Sequence, residues 1–312
     1  MRNVLPIAVV ALVLGLTASS TPARAQAGDV KNPNTCKDIW SEIGLPTRKA
    51  GAAGHITMVC HLGYLTGHND SNKTPDWVIE HLTPKIVSGS GTREDQDFQF
   101  DPALPEKARP MPPDYEGSGF DKGHNAPAAD FHGDQKFLDD TFFFSNAVPQ
   151  VGLGFNRSIW RSLETLVRKL VTGNRPSLYV ITGPINQSSK PIKIKSTMDV
   201  CRLNLELAVP DRESICPENH KNKNATCSAG VAVPAAMFKI VYDPASQSAF
   251  AVVFQNMDHS GEYKSGHGTD YIQAHRVGVA TIETLTGYSF FSALPDRKQR
   301  QIKANCTDVK LH

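Results

Sequence analysis

Over residues 156–172 the apolar side chains fall on one helical stripe, and a stripe of that kind has to be buried. Ile159, Trp160, Leu163, Leu166, Val167, Leu170 and Val171 sit at i, i+1, i+4, i+7, i+8, i+11 and i+12, the period of a helix with one apolar face. The spacing predicts a helix over 157–172, with Asn156 at the N-cap and Gly173 closing it. Glu164 and Arg168 lie one turn apart and are expected to pair on its surface. One helix cannot cover its own apolar face, so a second layer must pack against it.

Strands supply that layer. Apolar runs at Ile56–Cys60 and 77–82 flank a turn-rich H-N-D-S-N-K-T-P. The aromatic run T-F-F-F-S-N at 141–146 suits a buried strand. L-Y-V-I-T-G at 178–183, A-M-F-K-I-V-Y at 236–242 and F-A-V-V-F at 250–254 read as core strands. A short helix is expected at 281–286, closed by Gly287. Residues 26–55 read as irregular, and 88–91 and 105–113 as loops. Strands and helices do not alternate regularly, which favours an α+β fold over a wound α/β fold. No repeat or long linker divides the chain, so one domain over 26–312 is expected.

Residues 1–25 join a basic start (Arg2) to an apolar run and end on Ala23-Arg24-Ala25. This pattern predicts a secretory signal peptide cut after Ala25 and an exported protein, periplasmic or extracellular. The apolar run is shorter than the ~20 residues of a spanning helix, and no other long apolar run occurs, so no membrane association is expected. The segment carries Arg2 and Arg24 and no acid, so its removal takes the formal charge of +2 to neutrality. A neutral chain is no general polyanion binder; any grip on phosphate has to be local. Six cysteines in an exported chain favour disulfides, and the expected pairs are Cys36–Cys60, Cys216–Cys227 and Cys201–Cys306.

The densest polar stretch is G-F-D-K-G-H-N-A-P-A-A-D at 119–130. Such a cluster is costly to hold in a fold unless its groups are paired or used. His124 has an imidazole that is mostly neutral at pH 7 and able to take a proton from water, with Asp121 available to fix its tautomer. Asn156 offers a hard, neutral amide oxygen of the kind that suits Mg2+, besides its capping role. Glu164 could hold metal-bound waters, or simply pair with Arg168. Lys122, Arg93, Arg157 and Arg168 could meet phosphate; for Arg157 a solvated surface charge is the expectation. His259, His267 and His275 are spaced like no metal motif and read as a flexible surface loop.

D-K-G-H-N-A-P-A-A-D-F resembles the Asp-Arg-Gly-His motif of the DNA/RNA non-specific endonucleases, the ββα-metal nucleases. The series S-N-x-x-P-Q from Ser145 and N-x-x-x-W-x-x-L-E-x-x-x-R from Asn156 is similar to that family's second motif. Later blocks at 179–184, 233–240 and 282–291 continue the likeness, which spans about 57–295. The resemblance implies a ββα-metal fold around a central mixed or antiparallel six-stranded sheet flanked by helices. It implies hydrolysis of DNA and RNA to 5′-phosphate ends with Mg2+, for which Mn2+ can substitute. His124 would be the general base, Asn156 the direct metal ligand, and Glu164 the holder of the metal's water shell. Metal-bound water would protonate the departing 3′-oxygen. Asn146 would position the site, Arg168 would contact phosphate, and Arg93 matches loosely. Lys122 stands where the family has arginine, keeping the charge but losing the two-pronged grip. The rival readings are a secreted nucleic-acid-binding protein without catalysis and a phosphodiesterase for small nucleotides. Monomer and homodimer remain equally open.

Overall fold

A computed structural model describes residues 32–49, 54–94, 96–186, 192–195, 204–207, 230–263 and 268–304. Its centre is a fully antiparallel seven-stranded sheet. In chain order the strands outside and within it are β1 Thr47–Arg48, β2 Ile56–Cys60, β3 Tyr64–Asn69, β4 Thr74–Leu82, β5 Asp121–His124, β6 Ala147–Gln150, β7 Leu178–Ile185, β8 Ile192–Lys195, β9 Asn204–Leu207, β10 Ala236–Asp243, β11 Ser248–Gln255, β12 Arg276–Val277 and β13 Tyr288–Ser289. The central sheet runs β12-β11-β10-β7-β4-β3-β2, while β5–β6, β8–β9 and β1–β13 form separate pairs. The seventh strand, beyond the expected six, is the two-residue β12 at the edge. β3 lies between the two expected apolar strands, and its end takes in His68 and Asn69 of the turn-rich stretch, whose side chains find buried partners.

Both faces of the sheet are covered, so its strands lack the one-sided polar pattern of an exposed sheet. Met237 and Val241 of β10 look to one layer, and Phe238, Ile240 and Tyr242 to the other. The first layer holds the long helix α1, Arg161–Asn174, which buries Leu163, Val167, Leu170 and Val171. The second holds α3 Val279–Thr286 and α4 Asp296–Ala304, with α2 Gly268–Ala274 at the side of α1. Cys36 and Cys60 are disulfide-bonded, with Cα atoms 5.8 Å apart. The other four cysteines lie outside the described residues. Among the described residues no helix is long and apolar enough to cross a membrane.

Three local expectations change. The helix does not start at Asn156 or stop at Gly173: a wide turn over Gly152–Trp160 precedes it, and it runs on to Asn174. The break lies at Leu153 and Gly154, where φ is 75° at the glycine. A Cβ on Gly154 would collide with the Asp258 carboxylate and the His259 backbone, so only glycine fits. The aromatic run 141–146 is buried but is no strand; Phe144–Asn146 forms a short helical turn. His259 lies in the loop after β11 but not on the surface: it is buried, hydrogen-bonded to the Tyr271 hydroxyl and the Gln255 carbonyl, while His267 lies outside the described residues.

A second buried imidazole, His61, lies 3.3 Å from Asp101 on one side and 3.3 Å from Asp140 on the other. Burial alone would depress its pKa, but the two carboxylates overcome that and raise it to about 9. Its stabilising contribution is therefore complete below about 6.5 and lost as pH rises through about 9. Buried His68 and His124 act oppositely. Burial lowers them to about 4 and about 3, so their contributions hold above about 6.5 and fade as pH falls toward those values. Thermal melts should therefore show a maximum near pH 6.5 with a fall on each side, and His61→Asn should selectively flatten the alkaline fall. An unchanged alkaline limb in that variant would contradict the assignment.

Candidate active site

The hairpin β5–β6 builds one wall. It pairs Asp121 with Gln150 and His124 with Ala147. A Cβ on Gly123 would lie 2.2 Å from the buried Gln150 side chain, which is why glycine stands between Lys122 and His124. Strand alternation sends Lys122 and His124 to one side and Asp121 to the other. Asp121 therefore does not touch His124, contrary to the expected tautomer role.

Aromatic rings hold His124 instead. Its ring centroid is 4.6 Å from that of Phe98 and 5.0 Å from that of Phe142. Its Nε2 is buried without a hydrogen-bond partner, which leaves Nδ1 as the nitrogen facing the cleft. Burial, reinforced by the nearby positive charge of Arg93, lowers its pKa to about 3, so the ring is neutral at physiological pH. Asn146 braces the segment that follows. It is fully buried, accepts from the Ala126 N–H at 2.8 Å and donates to the Ala126 and Thr141 carbonyls. It lies behind the cleft wall.

Asp121 serves Asn156. Its carboxylate accepts from Asn156 Nδ2 at 2.8 Å and from Arg157 Nε at 2.7 Å, with a second bond from the Arg157 guanidinium. Burial works against its ionisation, but the Arg157 and Asn156 bonds hold the carboxyl below its usual range. Arg157 is thus a paired residue, and Asn156 is no helix cap. One Nδ2 hydrogen is bonded to Asp121, which fixes the amide's orientation, and among the described residues nothing donates to Oδ1.

Glu164 and Arg168 do not pair with each other. Arg168 donates to buried Asp130 at 2.6 Å and to Thr165 at 2.9 Å. Glu164 makes no hydrogen bond among the described residues, and burial raises it to about 7 despite the opposing charge of Lys239. Beneath it, Lys239 donates to Thr182 at 2.5 Å and stands over the Trp160 ring. Glu80 is fully buried beside this group with both oxygens unpaired, and its pKa is pushed well up by burial and by Asp130. Glu80, Asp130 and Lys239 were not among the expected site residues. The signal was a charge inside an otherwise apolar strand, as in W-V-I-E-H-L and A-M-F-K-I-V.

These groups meet at a cleft of about 620 Å³. His124, Asn156 and Glu164 line it together with Asp121 and the cations Arg93, Lys122, Arg157, Arg161 and Arg168. Lys122 is bonded to exposed Asp97 at 2.8 Å. Arg93 lies over Phe142, and neither it nor Arg161 has an acidic partner among the described residues. Asn146 is the one expected catalytic residue that does not reach the cleft.

A model of the DNA/RNA non-specific endonuclease family matches residues 47–297. The chain belongs to that family. A mitochondrial nuclease of Saccharomyces cerevisiae is 35% identical over 248 residues, covering 79% of this chain and 68% of that protein. Human mitochondrial endonuclease G is 37% identical over 137 residues, 44% of this chain and 46% of its own length. Many family relatives are therefore matched over only about half of their length. Among solved structures, that of an EndoG/EndoGI complex superposes with a TM-score of 0.63 at 27% identity, covering 84% of this chain and 93% of that one. The fold is accordingly the α+β fold of this nuclease family, and the enzyme class is that of a nuclease.

The expectation of an exported protein is overturned. The nucleases from yeast, human, cattle and Schizosaccharomyces pombe are all mitochondrial. An acid-free, arginine-bearing N-terminal stretch is common to signal peptides and mitochondrial transit peptides, so its composition could not decide between them. Those residues lie outside the described ones.

Arg168→Ala removes the hydrogen-bonded partner of buried Asp130. It should lower stability by about 3–5 kcal/mol, the usual effect of stranding a buried charge, read as a drop in denaturant midpoint. A surface arginine that only meets phosphate would leave the midpoint unchanged.

Proposed function

We propose that this cleft hydrolyses phosphodiester bonds in DNA and RNA, leaving 5′-phosphates, with one hydrated Mg2+ and His124 as general base. The observation that carries this is the commitment of Asn156 Nδ2 to Asp121, which presents a lone amide oxygen to a cleft shared with a neutral histidine and an unpaired glutamate. Among the described residues no group of three or more His, Cys, Asp or Glu side chains could cage a metal. The donor set therefore suits a cation that keeps most of its waters, as Mg2+ does. Asn156 would hold it, with Glu164 taking hydrogen bonds from its waters. When bound, the ion supplies positive charge to the phosphate oxygens.

His124 Nδ1 accepts a proton from the attacking water as that oxygen bonds to phosphorus. The P–O3′ bond breaks, and the 3′-oxygen leaves with a proton taken from water. Because the ring is neutral, it needs no prior deprotonation. Arg93 is placed to meet the charge of the pentacovalent transition state. Asp121 acts through Asn156, so it is a positioning residue. The chain would do this as a single nuclease unit, since β2–β4, β7 and β10–β12 share one sheet across the sequence.

Plasmid nicking by the purified chain should require Mg2+, stop with EDTA, and fall by at least about 100-fold in His124→Ala. Nicking that survives His124→Ala would remove that residue from the centre of the mechanism. Asp121→Ala should lower activity by about 10–100-fold, the range for losing a group that orients a metal ligand. Higher Mg2+ should recover part of that loss; a loss indifferent to Mg2+ would argue against the orienting role.

A further inference from the structure

Helix α1 turns a second polar surface away from the cleft. Successive residues of a helix step by about 100°, so Arg161, Glu164 and Arg168 form one narrow strip and Ser162, Thr165 and Lys169 the strip beside it. The first strip lines the cleft. The second lines a separate depression of about 260 Å³, whose far wall carries Tyr263 and Thr269. Arg161 lines both, standing on the ridge between them. Thr165 also donates to the Arg161 carbonyl and accepts from Arg168, so the two strips are mechanically joined.

The charges on this surface are unspent. Of the cations along 157–175, Arg157, Arg168 and Arg175 are each paired with an aspartate. Arg161 and Lys169 have no acidic partner among the described residues, and both are exposed. They are eight residues apart, about 12 Å along the helix, or roughly three steps of a stacked strand at 3.4 Å each. Between them Tyr263 is fixed by a 2.9 Å bond between its hydroxyl and Ser162 and by an edge contact with Tyr271. A rigid aromatic side chain flanked by two free cations is the pattern that holds single-stranded nucleic acid, the ring taking a base and the cations the phosphates.

We propose that Arg161, Tyr263 and Lys169 form a subsite for the polynucleotide strand flanking the scissile phosphate. This rests on the nuclease reading and sharpens it: the preferred substrate is a polymer several nucleotides long rather than a small nucleotide diester. The strand would leave the cleft over Arg161 and continue along α1 toward Lys169.

The test uses the full chain with Lys169→Ala, Tyr263→Ala and the double variant. Fluorescence anisotropy with a labelled 20-nucleotide single strand in EDTA reads binding without turnover. The double variant should bind at least about 10-fold more weakly, and Lys169→Ala should flatten the slope of log K against log salt by about 0.7. With Mg2+, KM for the oligonucleotide should rise while turnover of a p-nitrophenyl ester of thymidine 5′-phosphate stays at the wild-type value, which also reports an intact fold. Unchanged affinity and salt slope in the double variant would overturn the subsite. An equal loss on the small ester would overturn it too, by showing damage to the cleft itself. Tight, Lys169-dependent binding with no cleavage of either substrate would sink the nuclease reading and leave the subsite standing.

Discussion

The interface between helix α1 and the central sheet is held around a set of charges, of which Glu80, Asp130 and Lys239 are buried and Glu164 and Arg168 reach the cleft. Glu80, Thr182 and Lys239 project from three adjacent strands toward the helix, where Trp160, Glu164 and Arg168 meet them and Asp130 closes the group. Burying an unpaired charge costs several kcal/mol, and the two cations of the group are each bonded within it. Arg168 pins the segment between β5 and β6 to the helix through Asp130. Lys239, bonded to Thr182 on the neighbouring strand, meets the base of the same helix at the Trp160 ring. Burial raises the pKa values of Glu80, Asp130 and Glu164, and neighbouring carboxylates add to the rise for Glu80 and Glu164. The part of the site that faces solvent thus inherits its electrostatics from a layer beneath it.

The other wall depends on close approach rather than charge. Gly123 admits the Gln150 side chain against the backbone, and Asn146 locks the Ala126 segment by two hydrogen bonds and donates a third to Thr141. With the backbone held on both sides, the His124 ring has little choice of direction, and Phe98 and Phe142 complete its socket. An imidazole held by rings rather than by a carboxylate stays neutral. That is the useful state for accepting a proton, although burial also makes it a weaker base until something in the cleft favours its charged form.

Much of this was legible in the sequence, because the cluster at 119–130 and the amphipathic stripe after Asn156 each carry a strong local signal. The core strands β4, β7, β10 and β11 were legible for the same reason, as runs of β-branched and aromatic residues. What was not legible is partnership. Asp121, near His124 in sequence, serves Asn156 thirty-five positions away, because alternation along β5 turns it to the opposite side. Glu164 and Arg168, ideally spaced to pair, are drawn apart by Asp130, which offers Arg168 a buried partner. The strand β3 was hidden because its polar residues are buried with their own partners, which no periodicity can announce. The N-terminal pattern read as an export signal, a reading that the mitochondrial relatives overturn; arginines without acids are common to both kinds of targeting segment.

These partnerships explain why Lys122 can stand where the family has arginine. Its ammonium lies 2.8 Å from Asp97 and within 6 Å of the Phe98 and Phe144 ring centroids, so it is held over the same aromatic cluster that seats His124. A point charge on a flexible stem does not need the planar fork to be oriented when rings and a carboxylate orient it. The planar, bidentate grip on phosphate is instead available from Arg93 and Arg161, the two arginines of the cleft without an acidic partner among the described residues. In this chain the division of labour follows from pairing: cations already bonded to aspartates shape the site, and the unpaired ones are left for the substrate.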